Sequence, residues 1–190
     1  MAAISFASNP AQFADPFATD WTDHPQKGPL NVPRVVSMGL QAHLYDVNGT
    51  ALAITIDIGG GPMQISRCAK TDFNGNFATG DGVLQGDSQA GLMPVHLSFN
   101  PPLTCVGAHV SASGTVGRKY QALLDVLCSD GSSAKFTADG VLSHQRGTAP
   151  FAGAIAPAGV GITDIWFDAV HTDNLEHFAS VAINNLLWEL

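Results

Sequence analysis

Asn48-Gly49 falls between two runs of alternating apolar residues, a strand expected over Val35–Val47, with Leu40, Ala42 and Leu44 in phase, and another over Leu52–Ile58. A two-residue type I′ turn needs positive φ at both central positions. Asn-Gly flanked by such alternation is therefore the strongest short-range hairpin signal. The same grammar recurs along the chain. Gly59-Gly60-Gly61-Pro62, Asn100-Pro101-Pro102 and Ser129-Asp130-Gly131-Ser132 each interrupt a short apolar run. Asn100-Pro101-Pro102 reads as a hard turn, after which Leu103–Ala112 and Tyr120–Cys128 read as a second hairpin. No segment carries a sustained helical stripe. The pattern predicts an all-β fold, an antiparallel β-sandwich or jelly roll of about ten short strands.

Residues 1–34 lack periodicity, and Pro25, Pro29 and Pro33 exclude a helix there, so an extended lead-in is expected to cover an edge of a sandwich domain spanning 35–190. Charged residues are only 13% of the chain, which predicts a weakly charged surface like those of exported β-proteins. A net charge of −8 with eight Lys and Arg leaves no basic patch for phosphates, excluding nucleic acid and anionic membrane surfaces as partners. No apolar run is long enough for a membrane helix. Met1–Phe6 shows no signal-peptide pattern, which leaves a cytosolic protein or a mature exported form with an added Met; composition favours the second. The three cysteines lack metal-site spacing. On the second hairpin, Cys105 and Cys128 would lie level with one another, close enough for a disulfide, with two buried thiols as the alternative.

From residue 72 onward a series of short motifs runs in order. Asn74-Gly-Asn-Phe-Ala-Thr-Gly-Asp81 is followed by Val95-His-Leu-Ser-Phe99 and Pro102-Leu-Thr-Cys-Val-Gly107. Phe151-Ala-Gly-Ala-Ile155, Ile162-Thr-Asp-Ile-Trp-Phe167 and Ala182-Ile-Asn-Asn-Leu186 complete the series. This order resembles exported bacterial β-sandwich proteins of the PEP-CTERM-associated, lectin-like type. The chain departs from them in lacking the sorting tail and in carrying Asn184 where Asp is common. The resemblance implies a sandwich fold and a secreted or cell-surface location.

Two clusters stand out as candidate sites. The stretch around Asp72, Asn74, Asn76 and Asp81 is the densest group of oxygen ligands. Calcium takes six to eight oxygens, and a clamp between this loop and the last strand would add Asn184. The competing reading is a loop whose Asx side chains satisfy their own backbone, with Phe73 and Phe77 as plugs. On the strand Ile162–Val170, the alternation places Ile165, Phe167 and Ala169 on one face and Asp164, Trp166 and Asp168 on the other. An aromatic beside carboxylates suits a sugar, whose C–H faces stack and whose hydroxyls donate.

Catalysis has little support. There is no Gly-x-Ser-x-Gly elbow, and Glu176 and Glu189 are the only glutamates. The expected function is therefore a non-enzymatic, lectin-like carbohydrate-binding or surface-adhesion module that takes a glycan or cell-surface polymer, with calcium as a structural ion. A self-associating homo-oligomeric structural protein is the alternative, since Leu186–Leu190 reads as a sticky apolar end. A glycan hydrolase comes third.

Overall fold

A computed structural model describes residues 3–19, 21, 34–36, 41–47, 50–57, 63–67, 73–87, 95–143, 145 and 147–190. Among them the chain forms two antiparallel sheets that face one another as a sandwich. The eight-stranded sheet contains β1 (Ser5–Ala7), β12 (Phe151–Ile155), β9 (Cys105–Ala112), β14 (Ser180–Glu189), β7 (Gly82–Asp87), β6 (Met63–Arg67) and β3 (Arg34–Val36) in that order, with β2 (Phe17–Thr19) also paired to β14. The six-stranded sheet runs β11 (Ser133–Val141), β10 (Lys119–Cys128), β13 (Ile162–His171), β8 (Val95–Leu103), β5 (Thr50–Asp57) and β4 (Gln41–Val47). Helical structure is limited to short 3₁₀ pieces among the described residues, among them the turn Pro10–Gln12, capped by Asn9. No described helix is long and apolar enough to cross a membrane.

Period-two alternation decides which side chains meet between the sheets. On β10, Tyr120, Ala122, Leu124 and Val126 are buried while the residues between them are part-exposed. Facing them are Val106, Ala108 and Val110 of β9 with Val181 and Ile183 of β14, all in one core cluster. Burying a side chain of this size contributes about 1.5–3 kcal/mol. The Tyr120 hydroxyl, sunk in the same core, donates to the Val110 carbonyl at 2.9 Å.

The two sheets differ in their outer faces. Where burial is described, the outer face of the eight-stranded sheet is covered in two places. Phe13 and Phe151 pack with Cys105 and Ala7 at one end, and Phe73, Phe77, Val83, Ala149 and Ala182 cluster at the other. The outer face of the six-stranded sheet is open to solvent across β10 and β11.

Most of the expected architecture holds. Val47 pairs with Thr50, so β4 and β5 form the hairpin; its turn, Asn48-Gly49, lies outside the described residues. The turn at 129–132 joins β10 to β11 with Leu127 opposite Ser133. Four expectations are corrected. Val35–Val47 is not one strand, because Arg34–Val36 pairs with β6 in one sheet and Gln41–Val47 with β5 in the other. Asn100-Pro101-Pro102 does not end a strand but lies within β8. The ladder to β13 is irregular between Ile162 and Asp164 there, the kind of place where a strand tolerates prolines. β9 and β10 are not a hairpin, since the link 113–118 crosses from one sheet to the other. In consequence Cys105 and Cys128 sit in opposite sheets as separate buried thiols and not as a disulfide. Burial drives both thiol pKa values up, which keeps them neutral.

The lead-in contributes strands of its own. β1 adds to the edge at β12, and β2 lies along Leu186–Trp188, where Phe17 stacks on Trp188 with ring centroids 4.9 Å apart. Leu186 and Trp188 are buried strand residues, so most of the apolar C-terminus belongs to the core, with Leu190 left exposed. Pro25, Pro29 and Pro33 lie outside the described residues.

Candidate functional site

The 73–81 loop presses onto the outer face of the eight-stranded sheet. Phe73 and Phe77 are buried with ring centroids 6.0 Å apart. Gly75 lies so close beneath them that a Cβ there would stand 2.4 Å from Phe73 Cε1 and 2.7 Å from Ser111 Oγ. Asn76 is fully buried and joins three segments. Its backbone N–H donates to Ser111 Oγ at 3.0 Å, its Nδ2 donates to the Val141 carbonyl at 2.7 Å, and its Oδ1 accepts from Ser143 N at 2.9 Å. Asp81 Oδ2 accepts from Ala78 N at 2.9 Å and from Asn184 Nδ2 at 3.0 Å.

Asp81 and Asn184 do meet, as the clamp between this loop and the last strand requires. The contact arises from a bulge in β14, where the ladder to β9 shifts between Asn184 and Leu187 and Asn185 adopts φ 50°. Asparagine accepts that left-handed conformation more readily than most residues. In this arrangement the polar groups of the loop are engaged with one another and with backbone. Asn184 turns its NH₂ toward Asp81, Asn76 uses both ends of its amide on backbone, and Asp81 already accepts two N–H groups. Asn74 is half-buried, and Asp72 lies outside the described residues. Among the described residues no three His, Cys, Asp or Glu side chains gather into a metal-sized group.

The solvent-facing side of the six-stranded sheet brings together residues far apart in sequence. Register sets Trp166 opposite His96 of β8 and opposite Asp125 of β10, with Lys135 beyond Asp125. The His96 imidazole stacks on the Trp166 indole at 4.3 Å between centroids and 11° between planes. Asp164 Oδ1 accepts from Ser98 Oγ at 2.6 Å and lies 3.1 Å from His96 Nε2. Burial alone would raise the Asp164 carboxyl, but donation from Ser98, Thr163 and His96 outweighs it and holds the pKa below the usual carboxylate range. Next in the row, Lys135 Nζ pairs with Asp125.

Sequence alternation correctly puts Asp168 on the Trp166 side of β13, yet Asp168 is fully buried. Its carboxylate accepts from Ala169 N at 2.7 Å and pairs with His177 Nδ1 at 2.5 Å, and burial raises its pKa. The chain after β13 closes over it, since Val170 bridges to His177. Asp168 therefore does not join Trp166 and Asp164 as a ligand-facing group. His96, Ser98, Asp125 and Lys135 were not picked out as partners of Trp166 from the sequence. Once the strand order is known, alternation finds all four.

Ser98, His96 and Asp164 look like a catalytic set by composition and are not one by geometry. Ser98 Oγ lies 3.4 Å from the same His96 Nε2 that faces Asp164. A Ser–His–Asp relay needs the hydroxyl and the carboxylate on opposite ring nitrogens. Here the hydroxyl and the carboxylate share one ring nitrogen, so the three groups are not aligned as such a relay.

No protein-family model and no curated protein matches this chain.

Proposed function

We propose that this protein is a non-enzymatic carbohydrate-binding module whose ligand lies on the outer face of the six-stranded sheet at Trp166. One observation carries the reading. Of the three tryptophans, Trp21 and Trp188 are buried in the core, and Trp166 alone stands part-exposed on a solvent-facing strand. An indole left outside a core keeps an apolar surface in water, and an amphipathic partner recovers that cost. The neighbours suit a sugar. The ionised Asp164 accepts hydroxyl donors, while His96 and Ser98 fix its position. The resemblance of the motif order to exported bacterial β-sandwich proteins supports a secreted or cell-surface setting.

Affinity electrophoresis against a panel of neutral and acidic polysaccharides, followed by glycan-array screening, tests the reading. Wild-type protein is expected to be retarded by at least one polymer. Trp166→Ala is expected to lose that retardation while keeping its melting temperature. Retention of binding by Trp166→Ala, or no binding by the wild type across the panel, overturns it.

A further inference from the structure

β11 ends the six-stranded sheet, and among the described residues no strand lies on its far side. Two backbone bonds at the ends of its ladder set the phase of pairing with β10: Cys128 N donates to Ser132 O at 2.9 Å, and Leu142 N donates to Arg118 O at 2.8 Å. Counting in twos between them, Ala134, Phe136, Ala138 and Gly140 turn their peptide groups toward β10. Ser133, Lys135, Thr137, Asp139 and Val141 turn theirs outward, and all five are exposed. The strand has nine residues and no proline, and its ladder to β10 runs without a bulge. A long, regular open edge is a template for another strand.

We infer that this edge pairs with β11 of a second copy, antiparallel about Thr137, and fuses two six-stranded sheets into one continuous sheet across a two-fold axis. Charge selects both the partner and the register. With Thr137 opposite its own copy, Lys135 faces Asp139 of the second chain, and the two-fold repeats the pair. Registers centred on Lys135 or on Asp139 set like charges against each other. One centred on Phe136 leaves both charges without an opposite charge from the second chain, beyond the Asp125 and Gln121 partners they have in their own. A lone lysine on an edge strand is a common guard against association. Here Asp139, four residues on, makes the guard self-complementary.

The hydrogen-bonding phase agrees, because Lys135, Thr137 and Asp139 all present free peptide groups in this register. Each hydrogen-bonded pair exchanges two bonds, so about six form across the axis. On the core side Phe136 comes opposite Ala138 of the second copy, a ring beside a methyl. At the strand's end the Val141 carbonyl is already taken by Asn76 Nδ2, so the pairing stops short of Val141. The inference is independent of the ligand at Trp166.

Light scattering across a wide dilution series tests it. The wild type is expected to rise toward twice its 19.8 kDa as concentration increases. Thr137→Pro removes an outward N–H without touching the β10 ladder, and is expected to stay monomeric with its melt retained. Lys135→Asp is also expected to be monomeric, and the double variant Lys135→Asp with Asp139→Lys to dimerise again. A wild type that is monomeric throughout, a dimer that survives Thr137→Pro, or a double swap that fails to restore the dimer each overturns the inference.

Discussion

The 73–81 loop and the outer face of the six-stranded sheet have opposite relations to the sequence. In the loop, ligand-type residues are crowded together in the chain, and the structure uses them internally: Asn76 on Val141 and Ser143, Asp81 on Ala78 and Asn184. On the sheet face, His96, Ser98, Asp125, Asp164 and Trp166 are spread over some seventy positions and converge by register. Buried polar groups must find all their partners within the protein, whereas groups on an open face pair with one another and still reach solvent. Density of polar residues along the chain therefore marks a plug here, and the candidate site is assembled by topology.

The sharpest way to break this contrast is Asn76→Ala. It leaves a part-buried carbonyl at Val141 and a part-buried N–H at Ser143 without their side-chain partner. Unpaired groups of this kind cost about 1–3 kcal/mol each, so a loss of about 2–4 kcal/mol is expected in urea unfolding. A loss under about 1 kcal/mol would show that water replaces the amide, and the loop would then be no plug. Gly75→Ala comes next. A methyl 2.4 Å from Phe73 Cε1 must displace a buried ring, which costs about 1–3 kcal/mol. Neither change is expected to alter polysaccharide binding.

The same contrast shows what was legible beforehand. Local patterning carried the strands, because apolar residues fill every second position: Ala122, Leu124 and Val126 inward on β10, and Ile165, Phe167 and Ala169 inward on β13. It also held the bulge in β14, unrecognised. Val181 and Ile183 face the core, then Leu186 and Trp188 do, and a change of parity across Asn184-Asn185 demands one extra residue. What alternation cannot supply is the partner of each strand. Residues 113–118 contain Gly114 and Gly117 and look like a hairpin turn, yet a link of that length also spans the ~10 Å between packed sheets. That connection decides whether Cys105 and Cys128 share a hairpin, and the order β10-β13-β8 is what brings Asp125 and His96 beside Trp166.

On the open face the expected effects are smaller, and one carries a pH signature. Ser98→Ala removes the 2.6 Å donation to Asp164 and is expected to cost about 0.5–1.5 kcal/mol at neutral pH. The folded pKa of Asp164 is depressed, so its contribution is present above the unfolded value of about 3.9 and is lost as pH falls through the folded value. The difference between wild type and Ser98→Ala in denaturant melts should therefore shrink on acidification below that window. A difference that grows in acid would mean the serine serves the protonated carboxyl.

Lys135→Ala gives the smallest effect and the cleanest comparison with Asn76. The Lys135 side chain is 82% exposed, and its ion pair with Asp125 stands in water that screens it. Exposed pairs of this kind contribute no more than about 1 kcal/mol. Measured at dilution, where two copies do not meet, Lys135→Ala should barely move the melt; measured at high concentration, it should weaken self-association. A large loss in the dilute monomer would mean that the open face also holds the fold together, and the distinction between the plugged sheet and the free one would fail there.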